Sequence, residues 1–148
     1  MKSLAVLLLV LAAAAPAAAE VRAGDLTIKG AVIRAVAPGV ANTAGYLTIA
    51  NSGAKADKLV SASCSCAKSV EVHLSHVMNG MAMMMPPGPV EIPAKGQVSF
   101  SPGGYHLMVT GLKAPLVDGG VQTLTLKFEH AGTVSAPFQV SAKITSAH

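Results

Sequence analysis

The sequence predicts a single all-β domain, built as a β-sandwich or Greek-key barrel. No segment sustains the spacing of apolar residues that an amphipathic helix needs. Short runs rich in β-branched residues recur instead, separated by Gly, Pro, Asn and Ser. About nine such runs fit into the chain, a number typical of sandwiches and small barrels. No internal repeat, linker or second domain interrupts the pattern.

The predicted strands follow one another from residue 25 to residue 144. In chain order they lie within DLTIKGAVIRAVAPG, AGYLTIANSG, ADKLVSASCS, SVEVHL, PVEIP, GQVSF, YHLMVTG, VQTLTLKFEHAG and TVSAPFQVSAKI. The methionine-rich segment between SVEVHL and PVEIP is interpreted as a surface loop. Its end, MPPGP, disfavours both a helix and a central strand, because proline lacks a backbone N–H and fixes φ.

Two of these strands carry histidine on the face opposite to their apolar residues. In SVEVHL, Val70, Val72 and Leu74 share one face, and Glu71 and His73 share the other. Apolar packing therefore does not explain His73.

The strand YHLMVTG shows the same alternation. His106 and Met108 share one face, with Cα atoms about 6.6 Å apart, and Tyr105, Leu107 and Val109 take the other. Two side chains of this length can reach the same ion, although a histidine on a strand face is often only a surface residue.

Residues 1–19 have the layout of a secretory signal peptide. Lys2 precedes an apolar run from Leu4 to Ala15, and small residues end the segment at Ala19, where we expect cleavage. A membrane anchor is the alternative, but the apolar run is shorter than the roughly 20 residues that a span needs. The mature domain, residues 20–148, is then exported to the periplasm with no membrane span.

Composition argues against nucleic-acid binding. Eleven basic residues face seven acidic ones, but the lysines are scattered and only 3% of residues are aromatic. A mildly basic, solvated surface accounts for the charge.

The only two cysteines, Cys64 and Cys66, are one residue apart. Export favours a disulfide, but residues i and i+2 of a straight strand lie about 6.6 Å apart, near the upper limit for a bridge. A bond forms only if the backbone bends there. The alternatives are a redox-labile pair, auxiliary metal ligands, or two residues without a joint role.

Histidine and methionine gather in residues 69–111, which hold three of the five histidines and six of the seven methionines. Thioether sulfur and imidazole nitrogen together form a soft ligand set, which selects Cu(I) among the common cellular metals. Methionine often fills a core, but five methionines in a predicted surface loop are not explained in that way.

The spacing of these residues resembles the periplasmic copper chaperone family called PCu(A)C. His73 is followed after ten residues by Met84, then after twenty-one by His106, and then by Met108. The sequence around these residues is also similar to that of the family. The similar segments are Val-Glu-x-His, Asn-Gly, Ile-Pro-Ala-x-Gly and Pro-Gly-Gly-Tyr-His-x-Met. The resemblance covers nearly all of the predicted mature chain.

The resemblance implies a cupredoxin-like barrel that holds Cu(I) through His73, Met84, His106 and Met108. It also implies delivery of copper toward the CuA centre of cytochrome c oxidase, directly or through another copper chaperone. We expect the protein to act as a monomer and not as an enzyme.

The methionine segment departs from the family pattern in having additional soft ligands. One hypothesis is that they form a second, weaker copper site; drift within a methionine-tolerant loop is the alternative. These residues are His76, Met78, Met81, Met83 and Met85. The longer members of the family carry a tail rich in His and Met, but the C-terminal residues SAKITSAH offer only His148, so a Cu(II) site in the tail is not expected.

Other functions fit the sequence less well. A blue-copper electron carrier needs a thiolate beside its histidines, and Cys64 and Cys66 lie far upstream. A metal-dependent hydrolase needs carboxylates and an open position for water, yet Glu71 is the only acidic residue near the histidines. A copper-buffering or resistance protein would use the same ligands, whereas a purely structural β-sandwich would not need their spacing.

Overall fold

A computed structural model describes residues 20–144. The predicted signal peptide, residues 1–19, and the C-terminal His148 lie outside the described residues. Within residues 20–144 the chain forms eleven β-strands and no helix. The strands are β1 Val21–Ala23, β2 Leu26–Arg34, β3 Asn42–Asn51, β4 Asp57–Ser63, β5 Ala67–Met78, β6 Met81–Met85, β7 Val90–Ile92, β8 Gln97–Ser99, β9 Tyr105–Leu112, β10 Val121–Phe128 and β11 Gly132–Ser141. None of the described elements is a helix long and apolar enough to cross a membrane.

Seven of the strands close into a barrel. Their order around the barrel is β2-β11-β10-β4-β5-β9-β3, and β3 pairs back with β2. Only the pair of β11 with β2 is parallel. Neighbours such as β4 with β10 and β5 with β9 are distant in sequence, as Greek-key connections require. Closure gives each of these seven strands a neighbour on both sides, so the barrel has no free edge strand.

Four short strands extend the barrel from outside. β1 pairs with β2, β6 with β5, β7 with β4 and β8 with β3. The long strand β5 thus pairs with β9 over residues 67–74 and with β6 over residues 74–78. The three strands β6, β5 and β9 carry all four predicted copper ligands.

Alternating side chains of the barrel strands fill its interior. In β10, for example, Leu124, Leu126 and Phe128 are buried and Thr123 and Lys127 are exposed. This period of two is what the sequence showed, and it fixes which residues of β5 and β9 face away from the core. The largest fully buried side chains are Phe128, Phe138, Leu26, Ile28, Ile33, Leu47, Ile49, Leu59, Ile92, Leu107, Leu124 and Leu126.

The prediction of a single all-β domain is confirmed, and its architecture is a closed barrel with extensions. Each of the nine predicted strands is present. Two further strands, β1 and β6, were not predicted. β1 has only three residues, too few for alternation to be visible.

The interpretation of the methionine segment as a loop is wrong, because residues 81–85 form strand β6. Asn79 and Gly80 both have positive φ, 52° and 78°, as a two-residue type I′ hairpin turn requires. This turn folds β6 back onto β5. β6 pairs with no other strand, so Pro86 and Pro87 can follow it without interrupting a ladder.

Candidate metal centre

Pairing of β5 with β9 brings the two predicted histidine ligands together. His73 lies directly opposite His106, and Glu71 lies directly opposite Met108. Opposed residues of an antiparallel pair project to the same face, and so do residues two apart in one strand. The two imidazole rings meet edge to face, with centroids 5.8 Å apart and planes at 71°.

Pairing of β5 with β6 adds Met84 to the same face. Met84 lies opposite Ser75, which is two residues beyond His73 and therefore projects to the same side. Met84 is 62% exposed, and Met108 is partly buried. We call this side of the β6–β5–β9 sheet, with His73, Met84, His106 and Met108, the ligand face. The structure thus brings all four predicted residues together, while their role as ligands stays a prediction.

His106 presents one nitrogen for coordination. It is only 4% exposed although it faces away from the barrel core. Its Nδ1 lies 3.2 Å from the carbonyl oxygen of Gly104, which also accepts the backbone N–H of Ser75 at 3.1 Å. A carbonyl can only accept, so Nδ1 carries the proton and Nε2 carries a lone pair. That Nε2 is buried and has no hydrogen-bond partner.

His73 presents a lone pair in the same way. Its Nε2 lies 3.1 Å from Oε2 of Glu71, and its Nδ1 is buried without a partner. A carboxylate acceptor keeps the proton on Nε2 and leaves Nδ1 free. Glu71 also fixes the ring orientation, as carboxylates behind metal-bound histidines commonly do. Sequence alternation placed Glu71 beside His73, but only the structure reveals this contact.

An unpartnered buried nitrogen is costly to a protein unless it has a ligand. Each such group loses hydrogen bonds to water worth about 1–3 kcal/mol. Two of them on neighbouring rings, on a face that also carries two thioethers, form a donor set of the kind that a soft cation prefers. Within residues 20–144 no three side chains of His, Cys, Asp or Glu form a metal-binding group. A metal on the ligand face therefore depends on methionine sulfur.

The additional soft ligands lie on the opposite side of the β5–β6 hairpin. His76 is paired with Met83, and Met78 is paired with Met81. Along both strands these residues and Met85 alternate with residues of the ligand face, and they therefore project to the other side of the sheet. They form a separate surface, which we call the methionine face, and do not surround the four predicted ligands.

The two cysteines are bonded to each other. Their Cα atoms are 5.0 Å apart, because the chain turns at Ser65 and Cys66 before β5 begins. Ala67, the first residue of β5, is six residues from His73, or about 20 Å along an extended strand. In this disulfide the pair lies away from the histidines, so the alternative in which it supplies auxiliary ligands is not supported. A blue-copper site needs a cysteine thiolate, and both cysteines are held in the disulfide, so that alternative is not supported either.

One buried carboxylate lies outside the metal centre. Asp57, at the start of β4, accepts backbone N–H groups from Lys58, His130 and Ala131 at 2.7–2.9 Å. Burial alone would raise the pKa of Asp57, but these hydrogen bonds outweigh burial and lower it below the ordinary value. The carboxylate thus ties β4 to the turn after β10. Its role is structural, and no sequence motif indicated it.

Comparison with known proteins identifies the family. The family model described as "Putative lipoprotein LpqE-like" matches residues 26–140. The chain belongs to the LpqE-like family. The protein named "Putative lipoprotein Lxx21020" of Leifsonia xyli subsp. xyli (strain CTCB07) is 32% identical over 132 residues, which cover 86% of this chain and 77% of that one.

Solved structures similar to this LpqE-like chain are PCuAC domains and a copper-loaded protein. The apo PCuAC domain from PmoF1 is 29% identical with a TM-score of 0.73, covering 84% of this chain and 100% of that one. CuI-DR1885 from Deinococcus radiodurans is 30% identical with a TM-score of 0.60, covering 90% and 83%. The resemblance to PCu(A)C proteins is therefore supported in family and in fold.

Proposed function

We propose that this protein is an exported copper carrier that binds one Cu(I) ion tightly on the ligand face and passes it to another protein. His73 Nδ1, His106 Nε2 and the sulfur atoms of Met84 and Met108 would hold the ion. The observation that carries the proposal is the pair of buried, unpartnered imidazole nitrogens on adjacent strands.

Ligand chemistry favours Cu(I) over other metals. Thioethers are soft donors that select Cu(I), whereas zinc sites use thiolate, imidazole or carboxylate. All four ligands are neutral, so the ion keeps its positive charge. The similarity to CuI-DR1885, a protein determined with Cu(I), supports the same cargo here.

The arrangement also suits release. The histidines and Met108 lie on barrel strands, which hold them rigidly, whereas Met84 lies on an edge strand and is 62% exposed. An acceptor protein can therefore displace Met84 first and bind the ion from its solvent-exposed side. Neutral ligands hold Cu(I) less tightly than thiolates would, which favours transfer between proteins.

We propose the CuA centre of cytochrome c oxidase, or another copper chaperone, as the acceptor. This part rests on the spacing shared with PCu(A)C proteins. A copper-buffering protein would bind the same ion but would not hand it to such an acceptor. Mixing the Cu(I)-loaded protein with a copper-free soluble CuA domain separates the two roles, because only a chaperone gives a metallated acceptor.

Export is proposed from three features. Residues 1–19 have the layout of a signal peptide, the family is named for lipoproteins, and the cysteines form a disulfide of the kind that persists in oxidising compartments. Mass spectrometry of the protein recovered from the periplasm tests this assignment. A mature chain beginning at Glu20 supports it, and an intact chain retained in the cytoplasm contradicts it.

Copper binding is tested by anaerobic competition between the protein and a chromophoric Cu(I) chelator. His106→Ala and Met84→Leu should each weaken the tight equivalent of Cu(I), and the exposed Met84 can be replaced with little risk to folding. His130→Ala is the matched control, since His130 is exposed and lies on another part of the barrel. Equal affinities in the wild type and both site variants would contradict the proposal.

A further inference from the structure

The methionine face gathers five soft side chains on one side of a two-stranded hairpin. His76 lies directly opposite Met83, and Met81 and Met85 are its diagonal neighbours on β6. Opposed Cβ atoms in an antiparallel pair are about 4.5–5.5 Å apart and diagonal ones about 7–8 Å, distances that long side chains span. Met78, opposite Met81, extends the same face toward the turn.

Core packing does not explain these methionines. Met81 is 68% exposed, Met83 is 46% exposed and Met85 is 47% exposed. Exposed methionines are open to oxidation and form an apolar patch, so such a cluster is a liability without a use. On the barrel part of β5 the same side faces the core, but β6 extends beyond the barrel and leaves this side uncovered.

His76 supplies the second, independent observation. Its side chain is partly buried, and its Nδ1 is shielded from solvent with no hydrogen-bond partner. The same condition marks His73 and His106 on the ligand face. Among the described residues, only these three histidines have buried side-chain nitrogens without partners. Each of the three is accompanied by methionine on its own face of the sheet.

We propose that the methionine face is a second Cu(I) site, in which His76 Nδ1 and the sulfur of Met83 bind the ion together with Met81 or Met85. One nitrogen and two sulfur donors suit a low-coordinate soft cation. The site is more exposed and has one imidazole where the ligand face has two, so it binds Cu(I) more weakly. Met83 and Met84 are adjacent in β6, so the two sites lie on opposite sides of one strand.

This inference uses none of the ligands of the proposed chaperone site, so the two can fail separately. Cu(I) is titrated anaerobically into the full chain, and binding is followed by competition with a chromophoric chelator. The wild type should take up two equivalents, one tight and one weak. Saturation at one equivalent would overturn the second site. Absence of the tight equivalent would overturn the chaperone site instead.

Variants assign each equivalent to its face. Replacement of Met81, Met83 and Met85 by Leu removes sulfur but keeps size and apolar character, so the hairpin should still form. This variant should lose only the weak equivalent, and His76→Ala should do the same. The matched control is Met84→Leu, which changes a methionine of the same strand on the other face and should spare the weak equivalent. Retention of both equivalents in the triple leucine variant would contradict the proposal.

Discussion

At the scale of single residues, the direction of each ring proton decides whether a histidine can bind a metal. Gly104 fixes the proton of His106 on Nδ1, and Glu71 fixes the proton of His73 on Nε2. The free nitrogens therefore differ between the two rings. Sequence spacing identified both histidines, but it could not identify these hydrogen-bond partners. Pro102 and Gly103 signal the turn before β9, but no local pattern specifies that the His106 ring turns back to the Gly104 carbonyl.

Replacing Glu71 by Ala should weaken binding of the tight Cu(I) equivalent without abolishing it. Loss of the carboxylate frees the ring of His73 to rotate and to change tautomer. Partners of this kind typically contribute about 10- to 100-fold to metal affinity. Chelator competition measures the change. Glu91→Ala, which removes an exposed carboxylate on β7, is the control and should bind as the wild type does. An unchanged affinity in Glu71→Ala would show that Glu71 does not position His73.

At the scale of elements, the β5–β6 hairpin determines where the soft ligands go. Alternation along β5 was visible in the sequence, because valine and leucine mark one face. Alternation along β6 was not visible, since four of its five residues are methionine. Asn79-Gly80 is a strong hairpin signal, but the prolines that follow favoured a loop. The missed strand is what separates the ligand face from the methionine face.

Changing Gly80 to Ala should weaken the tight Cu(I) site through the turn alone. Gly80 has φ of 78°, and a Cβ there would meet nothing within 4 Å, so the cost is one of backbone conformation. That cost is about 1 kcal/mol, and it favours states in which β6 and Met84 are displaced. Asn79→Gly, which also tolerates positive φ, is the control and should bind Cu(I) as the wild type does. A loss of affinity in the control equal to that in Gly80→Ala would contradict this account.

At the scale of the whole molecule, the barrel supplies rigidity and the extensions supply access. The barrel strands themselves were predictable, because apolar residues at every second position mark each of them in the sequence. Closure and pairing order were not predictable, since they depend on contacts such as β4 with β10 between distant segments. The burial of His106 was also missed. Its position in the strand indicates an outward side chain but does not reveal what covers it.

Asp57 links two of those distant segments, so Asp57→Asn should destabilise the whole barrel. An amide retains only one acceptor oxygen and no charge, and hydrogen bonds to charged groups contribute about 1.5–3 kcal/mol. We expect a loss of about 2 kcal/mol in the free energy of unfolding, measured with urea. Asp25→Asn, at an exposed position, is the control and should change stability little. Equal stabilities of the two variants would contradict the assignment.

The pH dependence of stability should follow from the same carboxylate. Its pKa in the fold lies below the ordinary 3.8, so the folded state binds its proton less readily than the unfolded state. The contribution of Asp57 to the free energy of unfolding is therefore present above the ordinary carboxyl pKa and is lost as the pH falls through the lower pKa of the folded state. Unfolding measured from pH 6 downward should show a smaller acid-induced loss for Asp57→Asn than for the wild type. Parallel curves would contradict this account.

X-ray absorption spectroscopy of the protein loaded with one equivalent of Cu(I) tests the central claim most directly. At this loading the tight site fills first, and the predicted coordination shell holds two nitrogen and two sulfur atoms. The Met84→Leu/His106→Ala double variant is studied with Leu also at Met81, Met83 and Met85, so that the ion cannot move to the methionine face. There the shell should collapse, with loss of one nitrogen and one sulfur. A shell that is unchanged in the variant, or one without sulfur in the wild type, would contradict a Cu(I) site built from His73, Met84, His106 and Met108.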